Sequence, residues 1–169
     1  MTSINSILPK KLDKIEEEII LDKIKTKMTS GVALYVSTIR YIEKKFGKEE
    51  VEKIRKFQLN RTINRWKEKR KDFKDHSLET FCKYIEESCT GTHEWKKTED
   101  TKNKKCYKFK RCMWAEIFNE LDASDIGYWI CEGDGPAAKA FNPKIKFKRK
   151  KTLMKGDNCC NHEYYIEKQ

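Results

Sequence analysis

No stretch of this sequence is apolar for long enough to cross a bilayer, so no membrane partner is expected. The opening "MTSINSILPKKLDK" has neither the long apolar core nor the small-residue cleavage site of a signal peptide. The expected location is therefore cytoplasmic. No Cys-x-x-Cys pair occurs, so the hooks of a structural zinc site are missing and no metal is expected. No cofactor is expected either. Neither an internal repeat nor a low-complexity linker interrupts the 169 residues, a length that fits one domain. The seven cysteines are odd in number and cannot all pair within one chain. In a reducing compartment each reads first as a small buried apolar residue.

What the sequence does contain is charge and aromatic surface. Charged residues make up 38%, hydrophobic ones 37% and aromatics 11%, with a net charge of +11. The aromatic share argues for a real core wrapped in long lysine side chains. Lysines are scattered over nearly every segment instead of forming one patch, so they read as solvating surface and not as a nucleic-acid site. The pattern specifies no oligomeric state.

Periodicity divides the chain into a helical half and a mixed half. Leu12, Ile15, Ile19 and Ile24 recur at helical spacing, a break is expected at "TSG", and Val32, Val36, Ile39, Ile42 and Phe46 resume the pattern. Gly47 sits where a helix C-cap belongs. The next helix opens with acidic residues and offers Val51, Ile54, Ile63 and Trp66 as its stripe. Ser77 is the N-cap of a helix carrying Leu78, Phe81, Cys82, Ile85 and Cys89. Beyond it, "THEWKKTED" and "KKCYKFKRC" read as two strands around a turn, with Tyr107 and Phe109 alternating with lysines. "MWAEIFNELDASDIGYWICEG" returns to helix, "GDGPAAKAFNP" reads as punctuation, and "KIKFKRKK" alternates again with Ile145 and Phe147 inward. "TLMKGDNCCNHEYY" then places Gly156 and Asp157 in a turn before a last strand. The fold class expected is α+β: an N-terminal helical part followed by a small antiparallel sheet with an inserted helix. Residues 1–90 would form a helical region packed on an α+β region at 91–169, in one compact domain.

Several residues could carry chemistry. Cys160 and His162 are two apart, which in a strand puts both on one face as a possible nucleophile and base. Adjacent Cys159 and Cys160 in a strand would face opposite sides, one inward and the other to solvent. Asp134 beside a glycine-rich bend has no packing reason to exist if it is buried, and it could act on water. Each of these also has a bland reading. Cys160 can pack inward at the hairpin, His162 can be a packing or surface residue, and Asp157 suits a turn for backbone reasons alone.

Taken together, Cys112, Cys131 with Asp134, Phe141 with Pro143, Thr152 with Leu153, and Gly156 with Cys160 stand in an order that resembles the L-2-amino-thiazoline-4-carboxylic acid hydrolase family. The stretch "KKFGKEEVEKI" around Gly47 is also similar. The sequence departs from the family pattern at the extra thiol Cys159, at Asn161 and in the basic run Lys148 to Lys151, and the pattern implies that Cys160 is the inward thiol of the pair and Cys159 the solvent-facing one. The resemblance implies a hydrolase that opens a small cyclic amidine, with a small molecule as its partner. The catalytic residues expected are Cys160, Asp134 and His162, and those expected to bind substrate are Cys112, Cys131, Thr152 and Asp157. The alternatives are a non-catalytic small-molecule-binding module and then a basic nucleic-acid-associated protein. The scattered charge gives the last a direct test: binding to generic DNA is expected to be weak and to vanish near physiological salt. Micromolar or tighter, sequence-dependent binding at that salt, measured by filter binding, would contradict the solvating-lysine reading.

Overall fold

A computed structural model describes residues 3–167. The helical half begins with α1 (Lys14–Phe46), a single helix of 33 residues. Asp13 and Glu16 close a reciprocal capping box at its start, which satisfies two N–H groups that the helix leaves free. The expected break at "TSG" does not occur. The Thr29 and Ser30 hydroxyls donate to the carbonyls of Lys25 and Thr26 one turn back, inside a continuous helix. Val32 and Ile39 further along are buried against the rest of the chain, and that packing outweighs weak local propensity. Ile15 and Ile19, which share the helical spacing, are 68% and 54% exposed, and Leu21 takes the buried side instead. Gly47, at φ 90°, turns the chain directly into α2 (Lys48–Lys69).

α2 contains no fully buried residue. Its Val51 and Ile54 lie half-buried against one apolar cluster and Trp66 against another. α3 (Leu78–Cys89) is capped by Ser77, whose hydroxyl accepts the Thr80 N–H, and it buries Leu78, Phe81 and Cys82.

The sheet follows. β1 (His93–Asp100), β2 (Lys104–Cys112), β3 (Ile145–Arg149) and β4 (Cys160–Ile166) form one antiparallel sheet in the order β1-β2-β4-β3. Strands β3 and β4 pair with Phe147 opposite Tyr164 and Arg149 opposite His162, and Gly156 and Asp157 lie in the connection, as the alternation predicts. That connection also holds a short 3-10 turn at Leu153–Lys155. Between β2 and β3 the chain forms α4 (Met113–Glu120), α5 (Ser124–Glu132) and α6 (Asp134–Phe141). Two readings of the sequence are corrected here. The stretch from Met113 is two helices, broken where Asp122 adopts a positive φ of 49°. "GDGPAAKAFNP" is mostly helix, because Pro136 falls in the first turn, where its missing N–H costs nothing. Ala137, Ala138 and Phe141 of that helix are buried.

One face of the sheet is covered by helices. Phe81, Phe141, Tyr107, Phe109 and Tyr164 form an aromatic cluster there, with ring centroids 5.2 Å apart for Phe81 and Tyr164 and 5.4 Å for Phe81 and Phe141. A second cluster joins α1 to α4 and α5 through Val32, Ile39, Ile117, Phe118, Ile126 and Met154. Cys159 and Cys160 are both buried, at 5% and 8% exposure, which corrects the expectation that Cys159 faces solvent. Strand β4 begins at Cys160, so Cys159 lies in the preceding turn, where two-residue alternation does not apply.

Histidine belongs to this core. The His162 ring lies 4.8 Å from Phe109 and 5.3 Å from Phe147. Burial, then the Arg149 and His93 charges, push its pKa down to about 3, and burial pushes His93 down to about 4. Both imidazoles are thus neutral in the fold, whereas the unfolded chain holds them near 6.5. Below about pH 6.5 the unfolded chain takes up protons that the fold refuses, so stability falls by about 1.4 kcal/mol per pH unit per histidine. Asp134, whose folded pKa is raised to about 6, acts in the opposite direction between its ordinary 3.8 and that value, but one carboxyl is outweighed by two imidazoles. Urea unfolding at stepped pH is expected to show this loss below pH 6.5, and His162→Phe is expected to remove about one histidine's share of the slope. An unchanged slope in the variant would contradict the buried neutral imidazole.

Gly127 in α5 supplies a packing test. A Cβ added there would lie 2.6 Å from both Met154 Sδ and Phe118 Cγ, whereas one added at Gly31 in α1 meets nothing within 4 Å. Gly127→Ala is expected to destabilise by about 1–3 kcal/mol through overpacking. Gly31→Ala is expected to stabilise by roughly 0.5–1 kcal/mol through helix propensity alone. Urea midpoints of the two variants check both signs.

Candidate functional site

A cavity of about 610 Å³ lies between the α1–α2 pair and the rest of the molecule. Trp66, Phe81, Trp114, Phe118, Trp129 and Tyr164 give it a largely aromatic wall. Such a concave apolar space with few polar groups is the usual form of a small-molecule site. Among the described residues that line it, the one carboxylate is Asp134.

Asp134 is the first residue of α6, held there by the turn at Gly133. Gly133 has little room for a side chain, because a Cβ would stand 3.2 Å from both the Ile130 carbonyl and Thr62 of α2. The Asp134 side chain keeps 30% exposure. Arg149 at the end of β3 is almost buried, with 8% of its side chain exposed, and its guanidinium forms an ion pair with Asp134. The same guanidinium donates to the Cys131 carbonyl at 3.1 Å. Burial raises the Asp134 pKa to about 6, and the Arg149 charge opposes that rise without cancelling it. Near neutral pH the carboxylate is therefore mostly ionised but easily protonated. Sequence reasoning assigned Arg149 only to a basic surface run. The signal that could have found it is the strand alternation itself, since positions 145 and 147 face inward and 149 continues the same parity.

The other candidate residues gather beside this site rather than on the cavity wall. His162 Nε2 is 3.9 Å from Asp134 Oδ2, and its Nδ1 is 3.5 Å from the Tyr164 hydroxyl. Cys160 Sγ accepts the Leu153 N–H at 3.2 Å and lies 3.6 Å from the Thr152 hydroxyl. Thr152 is buried, and its hydroxyl also accepts the Met154 N–H and lies 4.0 Å from Cys131 Sγ. Asp157 accepts the Thr152 N–H at 2.7 Å, which closes the turn. Cys112 stands at the β2–α4 junction against the second cluster. Burial pushes the Cys112 thiol up to about 11 and the Cys131 thiol up to about 12, so neither is poised as a thiolate. Cys160 and His162 share a sheet face, yet the Cys160 thiol is engaged by Thr152 and Leu153 and not by the imidazole. Among the described residues, no three His, Cys, Asp or Glu side chains gather as a metal ion would need. Among those residues, too, no helix is long and apolar enough to cross a membrane.

Comparisons with known proteins agree with this architecture. No curated protein matches the chain. Among solved structures, a similar fold is the phenol-responsive sensory domain of the transcription activator PoxR, crystallised with phenol. The likeness has a TM-score of 0.50 at 10% identity and covers 79% of this chain and 73% of that one, so it speaks for the fold alone. The family model for L-2-amino-thiazoline-4-carboxylic acid hydrolase matches residues 23–164, which takes in α2 to α6, nearly all of the sheet and most of α1. The chain belongs to the L-2-amino-thiazoline-4-carboxylic acid hydrolase family.

Proposed function

We propose that the aromatic cavity is the site of hydrolysis of a small amidine-like molecule and that Asp134 is the general base. The observation that carries this reading is that the cavity's one carboxylate has a pKa raised to about 6. A base poised near the working pH is what proton abstraction from water needs. The family name supplies the reaction class, since an amino-thiazoline has an electrophilic carbon between nitrogen and sulfur. Walls taken from both 1–90 and 91–169 support one working unit.

The steps follow from that placement. Water oxygen bonds to the ring carbon as Asp134 takes one of its protons, and that proton passes to the ring nitrogen. Collapse of the tetrahedral carbon forms the C=O bond, breaks the C–S bond and carries the hydroxyl proton to sulfur, leaving a carbamoyl-cysteine. Arg149 keeps Asp134 oriented and ionised. Neutral His162 and the hydrogen-bonded Cys160 serve as the packing behind it, with Thr152 and Asp157 holding the turn.

A second reading is a binding module without turnover. It is favoured by the aromatic wall and by a fold shared with a phenol-responsive sensory domain crystallised with phenol. Turnover of 2-aminothiazoline-4-carboxylate, followed by release of free thiol, separates the two. Hydrolysis is expected to rise with pH through about 6 as Asp134 ionises. Asp134→Asn is expected to lower kcat by about 100-fold or more with the circular dichroism spectrum retained. Cys160→Ser is expected to stay within a few-fold of the unaltered protein. Turnover that survives Asp134→Asn, or that is abolished by Cys160→Ser in a folded protein, would overturn the water mechanism. Binding with no released thiol would favour the module.

A further inference from the structure

The wall of the cavity carries charge that the proposed chemistry does not use. Arg61 and Arg65 of α2 and Lys27 of α1 all line it. Residues four apart on a helix share a face, so the two guanidinium groups sit one turn apart and repel each other. Four of the other arginines meet a carboxylate: Arg40 on Asp125, Arg55 on Glu132, Arg111 on Glu116 and Arg149 on Asp134. Arg61, Arg65 and Lys27 make no such ion pair among the described residues. Three cations that make no ion pair among the described residues, set in an aromatic wall, suit a ligand that joins an anionic group to an apolar body.

Size adds a second constraint. A single five-membered ring with an amino group and a carboxylate is small beside about 610 Å³. A space of that volume suits a ligand of drug size. Trp66, Trp114 and Trp129 offer broad flat surface that one small ring would leave largely uncovered.

We propose that this cavity takes an organic anion larger than the family's namesake: a planar body of two or more rings with one carboxylate-like group, the acid held by Arg61 and Arg65 with Lys27 beside them. The proposal rests on the reading that the cavity is the ligand site, and it assigns these three residues to specificity and not to catalysis. Guanidinium groups suit the task because they pair with a carboxylate through two parallel hydrogen bonds.

Matched probes test it. Naphthoate, naphthamide and benzoate are titrated into the full chain by calorimetry, with tryptophan fluorescence as a second readout. Naphthoate is expected to bind about tenfold or more tightly than naphthamide, the order of one charge-assisted contact. Benzoate is expected to bind about tenfold more weakly than naphthoate for want of the second ring. Added salt is expected to weaken naphthoate and leave naphthamide unmoved. In the double variant Arg61→Gln/Arg65→Gln, which lies on an exposed face of α2, the acid preference is expected to disappear while naphthamide binds as before. Equal binding of acid and amide, or an acid preference that survives the double variant, overturns the proposal while the cavity reading stands. Benzoate binding as tightly as naphthoate overturns the size assignment. Binding of none of the three overturns the proposal, while turnover of 2-aminothiazoline-4-carboxylate decides the cavity reading separately.

Discussion

The pairing of Asp134 with Arg149 is the interaction on which the site depends. It joins the start of α6 to the end of β3, and through the Cys131 carbonyl it also fixes the end of α5. A nearly buried guanidinium is expensive to desolvate and stays in place only when its charge and hydrogen bonds are met. Here one residue meets the charge and a helix end takes a further hydrogen bond. The cost has a consequence for the partner. Asp134 remains an acid whose proton affinity is set by competition between burial and Arg149, and burial prevails. A pair of this kind is poor value as a stabilising device and good at holding a carboxylate in one orientation at a cavity wall.

The cavity exists because two layers meet imperfectly. Mostly aromatic side chains from α3, α6 and the sheet close one cluster, and Val32, Ile39, Ile117, Phe118 and Ile126 of α1, α4 and α5 close the other. α2 bridges the two without burying any residue of its own completely. Trp66 meets Phe81 at 5.2 Å and Tyr84 at 5.4 Å, so its ring is held from one side while another part of it faces the open space. Large flat rings pack edge to face and leave gaps that small aliphatics would fill. The polar composition of the chain therefore coexists with a well-defined apolar interior, because lysine stems and heads occupy the surface around it.

Much of this was legible in the sequence. Alternation in "KIKFKRKK" and "CCNHEYYI" gave the antiparallel β3–β4 pair, and the stripe from Leu78 to Cys82 gave a helix whose residues are buried. The order of the short motifs pointed to the family. Other parts were misread for identifiable reasons. Thr29, Ser30 and Gly31 are weak helix formers, but burial of Val32 and Ile39 carries α1 through them. Gly133, Gly135 and Pro136 looked like loop punctuation, but Pro136 is harmless in a first helical turn and the glycines permit close approach to α2 and to Phe147. Proximity in sequence suggested a Cys160–His162 partnership; in the fold Thr152 and Leu153 engage the thiol, and Asp134 lies 3.9 Å from the imidazole.

By itself, then, the sequence determined the α+β class, the two hairpin pairings and the residue types available for chemistry, because these follow from local periodicity and from motif order, whereas the β2–β4 pairing that joins the hairpins came only with the fold. Only the tertiary structure decided which of those residues share a space. Asp134 and Arg149 are fifteen positions apart, and Trp66, Trp114 and Tyr164 lie on separate elements. Their meeting depends on how helices pack on the sheet, and no local pattern encodes a contact made across layers. The proton affinity of Asp134 was settled at the same level, since burial and a neighbouring cation are properties of the assembled site and not of the residue.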